Sequence, residues 1–537
     1  MTTAMTCGEA TMRLLQNYGV TTVFGIPGVH TLDFCRGLKN VGDGALTHIQ
    51  TRNEQGAGFM AEGWARATGT PGVALVISGP GVTNAATALG QSYCDSLPVL
   101  LLSAEADSRT IGKGWGVLHE VTEQKKVTEP LTALSATAHR ACDVPELLAQ
   151  AFTIFASRRP RPVHISIPID VQAEGVTGNW EAVALPSPPS AAPAQVTAAA
   201  ELLKSARRPV IMTGGGAVGA ASDLTANTEA LGAIIVASTA GKGIVPDDHP
   251  LSLSASTVRP EVQEFLSEAD VILAVGTELS ETDSFVERMD LGGRLIRVDL
   301  DPAKINDFYP ADLGIIADAG AAMSALRAAL AGHRANDRQG AEAGVAALRE
   351  EIFSKLSPSE NRHRTLLSCL DRVASPDTIW SGDACQLVYS GAFAMPVRQP
   401  RKWFYPAGYC ALGNALPNAI GAKLACPDKP VSVLVGDGGF MFTMPELMTA
   451  AELGLPLPII IWENGGLKQI QDDMDSRDIN RVGVEGINPD FVALATACHC
   501  HGVRPKTQTD FETAYQSAVT ADRPTIIVVE EGKNWLQ

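Results

Sequence analysis

Val431-Ser432-Val433-Leu434-Val435-Gly436-Asp437-Gly438 is an apolar run that stops on an aspartate between two glycines. A second apolar run, Pro458 to Trp462, stops on Glu463-Asn464. Short apolar runs of this kind read as buried strands. An Asp ending one strand and an Asn ending the next can hold one hard cation between them. Mg²⁺ takes oxygen ligands in near-octahedral geometry and usually binds beside phosphate oxygens. Gly436 and Gly438 let backbone N–H groups close on a phosphate. Met444-Pro445-Glu446-Leu447 reads as a helix start that adds its positive dipole end. The pattern predicts a Mg²⁺-diphosphate clamp, and so a cofactor with a diphosphate tail.

Outward from this stretch, short apolar runs alternate with helical patterns along the whole chain. That alternation marks βαβ units and parallel sheets. Two boundaries divide it. One is the Pro- and Ala-rich run Ala184 to Pro193, a linker by composition. The other is the polar, helix-like run Arg334 to Glu350, ending near Ser357-Pro358-Ser359. The expected domains are residues 1–183, 194–335 and 360–537. The first and third share a weak repeat: Gly56, Gly79 and Gly81 map onto Gly413, Gly436 and Gly438 with one constant offset. In each copy a Gly/Ala-rich helix precedes a polar turn, an apolar strand and Gly-x-Gly. Two specialised copies of one α/β fold is the simplest reading. Glycines inside a helix cost about 1 kcal/mol each relative to Ala, so Gly56, Gly58 and Gly63 predict a close helix-to-helix approach. In the middle segment Gly214-Gly215-Gly216-Ala217-Val218-Gly219 is a formal GxGxxG, but alone it reads better as a tight strand-to-helix turn than as a nucleotide site.

The chain of 537 residues is long enough for several domains with sizeable cores. No uncharged apolar run reaches the roughly 18 residues of a membrane span, and no secretory leader is visible at Met1 to Met5. A net charge of −17 disfavours nucleic acid and anionic membranes as partners. The ten Cys are scattered, which fits reduced thiols and a cytoplasmic location. Cys498-His499-Cys500-His501 invites a metal reading, but its ligands are packed too tightly for an ordinary zinc site.

The combination of motifs resembles the thiamine-diphosphate (ThDP) enzymes of the acetolactate synthase and 2-oxo acid decarboxylase type. The resemblance rests on Gly25-Ile26-Pro27-Gly28, on Asn53-Glu54-Gln55-Gly56-Ala57-Gly58, and on Ser78-Gly79-Pro80-Gly81-Val82-Thr83-Asn84. It continues through Asp383-x-x-Gln386, Ala415-Leu416-Pro417 and the Asp437/Asn464 pair. It implies three consecutive parallel-sheet α/β domains. A pyrimidine-binding and a diphosphate-binding domain flank a Rossmann-like central one. Each cofactor site is then built from two chains, in a homodimer at minimum and a homotetramer by expectation.

The resemblance also assigns roles. Glu54 would hold N1′ of the aminopyrimidine and favour the tautomer that removes the C2 proton, in apolar surroundings that raise a carboxylate's proton affinity. Pro27, Pro80 and Asn84 join it on the cofactor. Leu412 would wedge under the cofactor and bring its reacting atoms together, with the Cys410 carbonyl and Leu412 N–H on the pyrimidine edge. Gln386 and Leu387 would line the diphosphate, with Gly436, Gly438, Gly439 and Leu467 also on the cofactor. Asp437, the Asn464 side chain and the Gly466 carbonyl would hold Mg²⁺. Asn53 stands where the family usually has His, and Glu463 where it often has a first Asn.

Where flavin-binding acetolactate synthases carry Arg-Phe-Asp-Asp-Arg, this chain has Glu278-Leu279-Ser280-Glu281-Thr282-Asp283, so FAD is not expected. Gly25 to Thr31, Gly112 to Glu120 and Arg161 to Pro168 look closest to the 2-ketoarginine decarboxylase-like branch. The expected reaction is ThDP/Mg²⁺-dependent, non-oxidative decarboxylation of a 2-oxo acid to an aldehyde. The leading substrate is 5-guanidino-2-oxopentanoate, giving 4-guanidinobutanal. His119 and His30 are the candidate proton donors after CO₂ loss. Val29, Lys468, Gln469 and Asp472 are candidate substrate contacts, Asp472 as a partner for a guanidinium. The alternatives are an acyloin-forming carboligase without FAD and a non-catalytic paralogue that binds a nucleotide or a partner protein.

Overall fold

The alternating pattern resolves into three parallel sheets. The computed structural model describes residues 5–40, 46–335 and 337–537. The N-terminal sheet has six parallel strands, in the spatial order Thr47–Gln50, Thr22–Gly25, Gly72–Val76, Val99–Glu105, Val163–Pro168 and Leu134–Thr137. The C-terminal sheet runs Trp403–Phe404, Ile379–Gly382, Val431–Gly436, Pro458–Glu463, Thr525–Glu530 and His501–Val503, again all parallel. Numbered in chain order within each sheet, both orders are 2-1-3-4-6-5. The weak glycine repeat is therefore a repeat of topology. Gly79-Pro80-Gly81 and Gly436-Asp437-Gly438 each follow the third strand of their sheet.

The central sheet has five parallel strands in the order 2-1-3-4-5, from Pro209–Thr213 to Leu313–Ile316, the order of a doubly wound fold. Its GxGxxG turn serves packing. A Cβ at Gly214 would lie 2.3 Å from the Gly276 carbonyl oxygen, so two loops touch backbone to backbone there. The run after 335 forms the helix Arg338–Ser354, whose Val345 and Ile352 pack in the central core.

One apolar core joins the two outer sheets. Phe24, Ala57, Met60 and Ala61 of the first half pack in it with Ala415, Ala419, Ile420 and Val433 of the second. The crossing is made by the helices Glu54–Thr68 and Ala415–Ala425. A Cβ at Gly63 would sit 2.0 Å from the Asn418 carbonyl, and one at Gly421 would sit 2.0 Å from the Met60 carbonyl. A Cβ at Gly58 would meet that of Ala88 at 2.5 Å, in the neighbouring helix Pro80–Cys94. Gly56 abuts the carboxylate of Glu446. The helix glycines mark a close crossing, as their cost predicted.

Buried charge secures the interfaces. Glu62, fully buried, accepts from Arg66 Nε at 2.9 Å and from Asn418 Nδ2 of the other half at 3.3 Å. Lys242 of the central domain is also fully enclosed. It donates to Asp247 at 2.6 Å and to the Ala392 and Met395 carbonyls of the C-terminal domain at 2.8 and 2.9 Å. Burial pulls its ammonium below the usual lysine range while Asp247 opposes that shift. Among the described residues no helix is long and apolar enough to cross a membrane.

A helix does start within Met444-Pro445-Glu446-Leu447, as Glu446–Glu452 with Pro445 at its N-cap, but the helix that begins at Gly436-Asp437-Gly438 is a separate one. It is Asp437–Thr443, with Gly436 as its N-cap. The strand turns directly into it because Gly436 and Gly438 offer no side chains to obstruct the turn. The following helix, Glu446–Glu452, spends its first-turn carboxylate elsewhere: Glu446 Oε1 accepts the Arg52 and Asn53 N–H groups, each at 3.0 Å.

Candidate active site

The N-terminal half of the site lies at the carboxyl ends of its strands, where parallel α/β sheets bind ligands. Glu54 is the first residue of its helix, 7% exposed. Asn53 caps that helix, its Oδ1 accepting the Gln55 N–H at 2.9 Å. Asn84 Nδ2 donates to Glu54 Oε2 at 2.9 Å, which fixes the carboxylate and leaves Oε1 available. Pro80 opens the helix that carries Asn84, and both are exposed, as is Pro27.

His30 and His119 meet in this region. His30 sits in the 3₁₀ turn Val29–Thr31, closed by the Gly28 N–H donating to Thr31 Oγ1 at 3.0 Å. His119 ends a loop in which Gly112, Gly114 and Gly116 have positive φ and the Glu120 carboxylate accepts the Gly114, Trp115 and Gly116 N–H groups at 2.9, 3.3 and 2.6 Å. His119 itself has φ +62°, a conformation uncommon for a residue with a side chain. The two rings are edge to face with centroids 5.0 Å apart. His30 Nδ1 lies 2.5 Å from Ser78 Oγ, whereas His119 Nδ1 is buried without a partner. Burial, and secondarily His119, pushes His30 below the usual imidazole range, so it is neutral at pH 7.

The C-terminal half gathers around Asp437, which is fully buried and takes part in no ion pair among the described residues. Its Oδ2 accepts from the backbone N–H groups of Asn464, Gly465 and Gly466 at 3.1, 2.7 and 3.2 Å, and from Asn488 Nδ2 at 2.8 Å. Among the described residues its Oδ1 accepts only the Gly438 N–H, at 2.8 Å. Gly466, at φ +120°, must be glycine, since a Cβ would meet the Val484 carbonyl at 2.4 Å. Leu467 N–H bonds that same carbonyl at 3.0 Å. Gly439 lies against the Asp383 carboxylate, which a Cβ would approach to 3.3 Å.

Asp383 is a second buried carboxyl. It accepts the Ala384 N–H at 2.7 Å and the Gly413 N–H at 2.9 Å. Burial drives it up to about 7 against the pull of those N–H groups. Through Gly413 it fixes the end of the loop that carries Cys410 and the half-buried Leu412. Leu387 corrects its expected role. Its side chain is wholly enclosed in the C-terminal core, so only its N–H, in the first turn of Gln386–Ala394, can face a ligand.

Three family models match this chain: the N-terminal TPP binding domain of thiamine pyrophosphate enzymes over residues 5–127, the central domain over 196–326, and the C-terminal TPP binding domain over 383–529. The chain is 47% identical to a probable 2-ketoarginine decarboxylase, AruI, of Pseudomonas aeruginosa, over 97% of this chain and 93% of that protein. It is 31% identical to acetolactate synthase isozyme 3 large subunit of Escherichia coli, over 97% and 93% of the two chains. Against acetolactate synthase large subunit IlvB1 of Mycobacterium tuberculosis it is 30% identical, over 97% and 87%. The chain belongs to the thiamine pyrophosphate enzymes.

The residues present fit such a cofactor. A buried carboxylate with no cation and a free lone pair on Oδ1, in contact with the Asn464–Gly466 loop, suits a hard divalent ion beside a diphosphate. Gln386 Oε1 is buried and unpartnered while its Nε2 reaches Asp472 Oδ2 at 2.9 Å and Gln469 Oε1 at 3.2 Å. Asp472 is not a free carboxylate, because Lys468 is ion-paired with it. The segment that replaces the flavin-branch stretch is occupied by its own contacts. Glu278 pairs with Arg159 and with Lys304 at 3.0 Å, and the half-buried Asp283 accepts the Thr239 N–H at 3.1 Å. Cys500 faces the core and His501 pairs with Asp522 at 2.8 Å, so the Cys-His run points in different directions.

Ser78, Asn488, Asp383 and Gln124 were not singled out as site residues. Gln124 accepts the Gly79 N–H at 2.7 Å and donates to the Ala104 carbonyl at 2.7 Å, bracing the turn that leads into Pro80. Within this group only Ser78, in Ser78-Gly79-Pro80-Gly81, and Asp383, in Asp383-x-x-Gln386, lie in motifs. Gln124 and Asn488 are isolated polar residues in sequence.

Proposed function

We propose that the protein converts a 2-oxo acid and a proton to an aldehyde and CO₂, using ThDP with Mg²⁺, and that its substrate is 5-guanidino-2-oxopentanoate, giving 4-guanidinobutanal. When bound, the cofactor supplies a carbon nucleophile and an electron sink for the bond that breaks. The chain's own residues do the rest. Glu54, steadied by Asn84, holds a proton at the pyrimidine nitrogen. Asp437, the Asn464 side chain and the Gly466 carbonyl hold the Mg²⁺ and through it the diphosphate. Leu412 would pack against the cofactor, and the Leu412 N–H and Cys410 carbonyl would bond its pyrimidine ring. His30 and His119 deliver the proton that takes the place of CO₂.

The observation that carries the decarboxylase reading is the His30–His119 contact. An aldehyde product needs a proton donor where CO₂ departs, whereas carboligation needs room for a second carbonyl. The guanidino substrate is supported by the 47% relative and by the Lys468–Asp472 pair, in which a substrate guanidinium would replace the Lys468 ammonium. Val29, 62% exposed, and Gln469 would flank it. The site is completed by a second copy of the chain. Val29, Leu32, Trp115 and Leu118 of the first half are exposed apolar side chains near His30 and His119, and Phe442 and Ile487 of the second half are exposed near Asp437. The acetolactate synthases among the relatives favour carboligation as the second reading.

The test is incubation with ThDP and Mg²⁺ and, separately, 2-ketoarginine, pyruvate, and branched and aromatic 2-oxo acids. CO₂ with 4-guanidinobutanal is expected from the first, and acyloin or acetolactate products would select the second reading. No CO₂ from any acid would overturn both. Sedimentation should show a dimer or tetramer, and chelation of Mg²⁺ should release the cofactor.

A further inference from the structure

The segment Gly408 to Gly413 carries the Cys410 carbonyl and the Leu412 side chain, and it is conformationally costly. Cys410 has φ +54°, a strained conformation for a residue with a side chain that persists only where its surroundings enforce it. Part of the enforcement comes from the C-terminal half, where the Cys410 N–H donates to the Pro406 carbonyl at 2.9 Å and Asp383 takes the Gly413 N–H. The rest comes from the N-terminal half. Gln91 Oε1 accepts the Ala411 N–H at 3.1 Å, and Asp95 Oδ1 accepts the Gly408 N–H at 2.9 Å. Gln91 is fully buried and donates to Asp95 Oδ2 at 2.6 Å, while Arg66 pairs with that same oxygen. The Tyr409 ring lies over Gly90, where a Cβ would come within 2.8 Å of it.

We propose that Gln91 and Asp95 are positioning residues of the cofactor site, fixing from the N-terminal half the segment of the C-terminal half that faces the aminopyrimidine. Ala411 lies between the two residues whose backbone groups the cofactor uses. Holding its N–H on Gln91 orients the peptide groups on either side. The same helix, Pro80–Cys94, begins with Asn84 on Glu54. Asn84 and Gln91 are two turns apart, about 10 Å along the axis. One rigid element therefore touches both the proton-holding carboxylate and the Leu412 segment of one chain. In a site built from two chains, as proposed above, these two contacts belong to different sites, and the helix connects them.

The role rests on the ThDP reading for its consequence, but not for the contact. The test is therefore in two parts on the full-length protein, with Gln91→Met, which keeps the length and removes the acceptor. Without cofactor, amide hydrogen exchange in the 408–413 segment should be at least tenfold faster than in the wild type, with the helix Glu54–Thr68 unchanged. With ThDP and Mg²⁺ bound, exchange of the cofactor's C2 proton into D₂O, followed by NMR, should be at least tenfold slower at equal cofactor occupancy. Wild-type protection of the 408–413 amides in the variant would overturn the positioning role. So would lost protection of these amides without any change in C2 exchange. Should Gln91→Met fail to fold, Gln91→Asn withdraws the acceptor by one methylene and is read in the same way. A wild-type protein that binds no ThDP would sink the functional reading, while the amide experiment would still decide the contact.

Discussion

The N-terminal and C-terminal halves share a strand order, yet the same two loops carry different chemistry in each. After the third strand, the first half has Gly79-Pro80-Gly81 and a fifteen-residue helix, and the second has Gly436-Asp437-Gly438 and a seven-residue one. Pro80 brings neither charge nor N–H to that position, whereas Asp437 brings a carboxylate that organises four donors on one oxygen. Ahead of the paired helices the exchange is reversed. The first half places Glu54 there, and the second places the apolar Leu412. On the proposed function, one half would handle a proton and the other an anchor and a shape. A duplicated scaffold can divide a cofactor this way because the positions at strand ends are set by topology while their side chains are free to differ.

The strongest way to break that comparison is to remove the key group from each half. Glu54→Gln should lower kcat by roughly 10²–10⁴-fold, the range for a positioned acid or base, while calorimetry shows ThDP still bound. Asp437→Ala should instead abolish Mg²⁺-dependent retention of ThDP. If Glu54→Gln lost the cofactor and Asp437→Ala kept it, the division of labour would be inverted. Activity unchanged in Glu54→Gln would remove the catalytic assignment.

A smaller effect is expected inside the first half. His119→Phe and His30→Phe should each lower aldehyde formation by about 10²-fold, the low end for a proton donor, and raise the acyloin fraction of the product. Equal losses of aldehyde and acyloin in both variants would mean that the histidines only shape the pocket. His30 is the more sensitive to its surroundings, being held on Ser78 and depressed by burial.

The fold was legible because its signals are local. Val431 to Val435 and Pro458 to Trp462 declare buried strands by composition, and the glycine repeat carried the duplicated topology before any strand order was known. Asp437 and Asn464 were legible because strand-end residues are placed by the strands. What was hidden depends on contacts between distant residues. Asn488 reaches Asp437 across 51 positions, and Gln91 reaches Ala411 across 320. Neither residue has a neighbouring pattern to mark it. Pro445 signals the helix Glu446–Glu452, whereas the separate helix Asp437–Thr443 goes unmarked, since seven residues show little apolar periodicity.

The shared core between the halves offers a test measured in stability. Gly63→Ala and Gly421→Ala each push a methyl group against a carbonyl of the opposite helix, 2.0 Å away in both cases. Each should cost about 1–3 kcal/mol of stability, the usual penalty for overpacking, read by chemical denaturation. Similar costs are expected because the contact is reciprocal. A neutral Gly421→Ala beside a damaging Gly63→Ala would show that the crossing is held from the first half alone.

The smallest effect concerns the start of these same two helices. Asn53 caps the Glu54 helix through its side chain, but Asn414, at the corresponding place before Ala415–Ala425, makes no capping bond, and both of its polar side-chain atoms are buried without partners. Asn53→Ala should therefore cost about 1 kcal/mol, the usual value of an N-cap, with kcat little changed, since Glu54 keeps its bond to Asn84. Asn53→His should lose a similar fraction of stability, because an imidazole is a poorer match than a short amide for the Gln55 N–H. Asn414→Ala removes no cap. It also relieves two unpartnered buried polar atoms, whose burial carries a cost of its own, so it should be neutral or slightly stabilising in the apoprotein. If thermal denaturation showed Asn414→Ala to be the more damaging change, the Asn414 side chain would be spending its polar atoms on something outside the single chain.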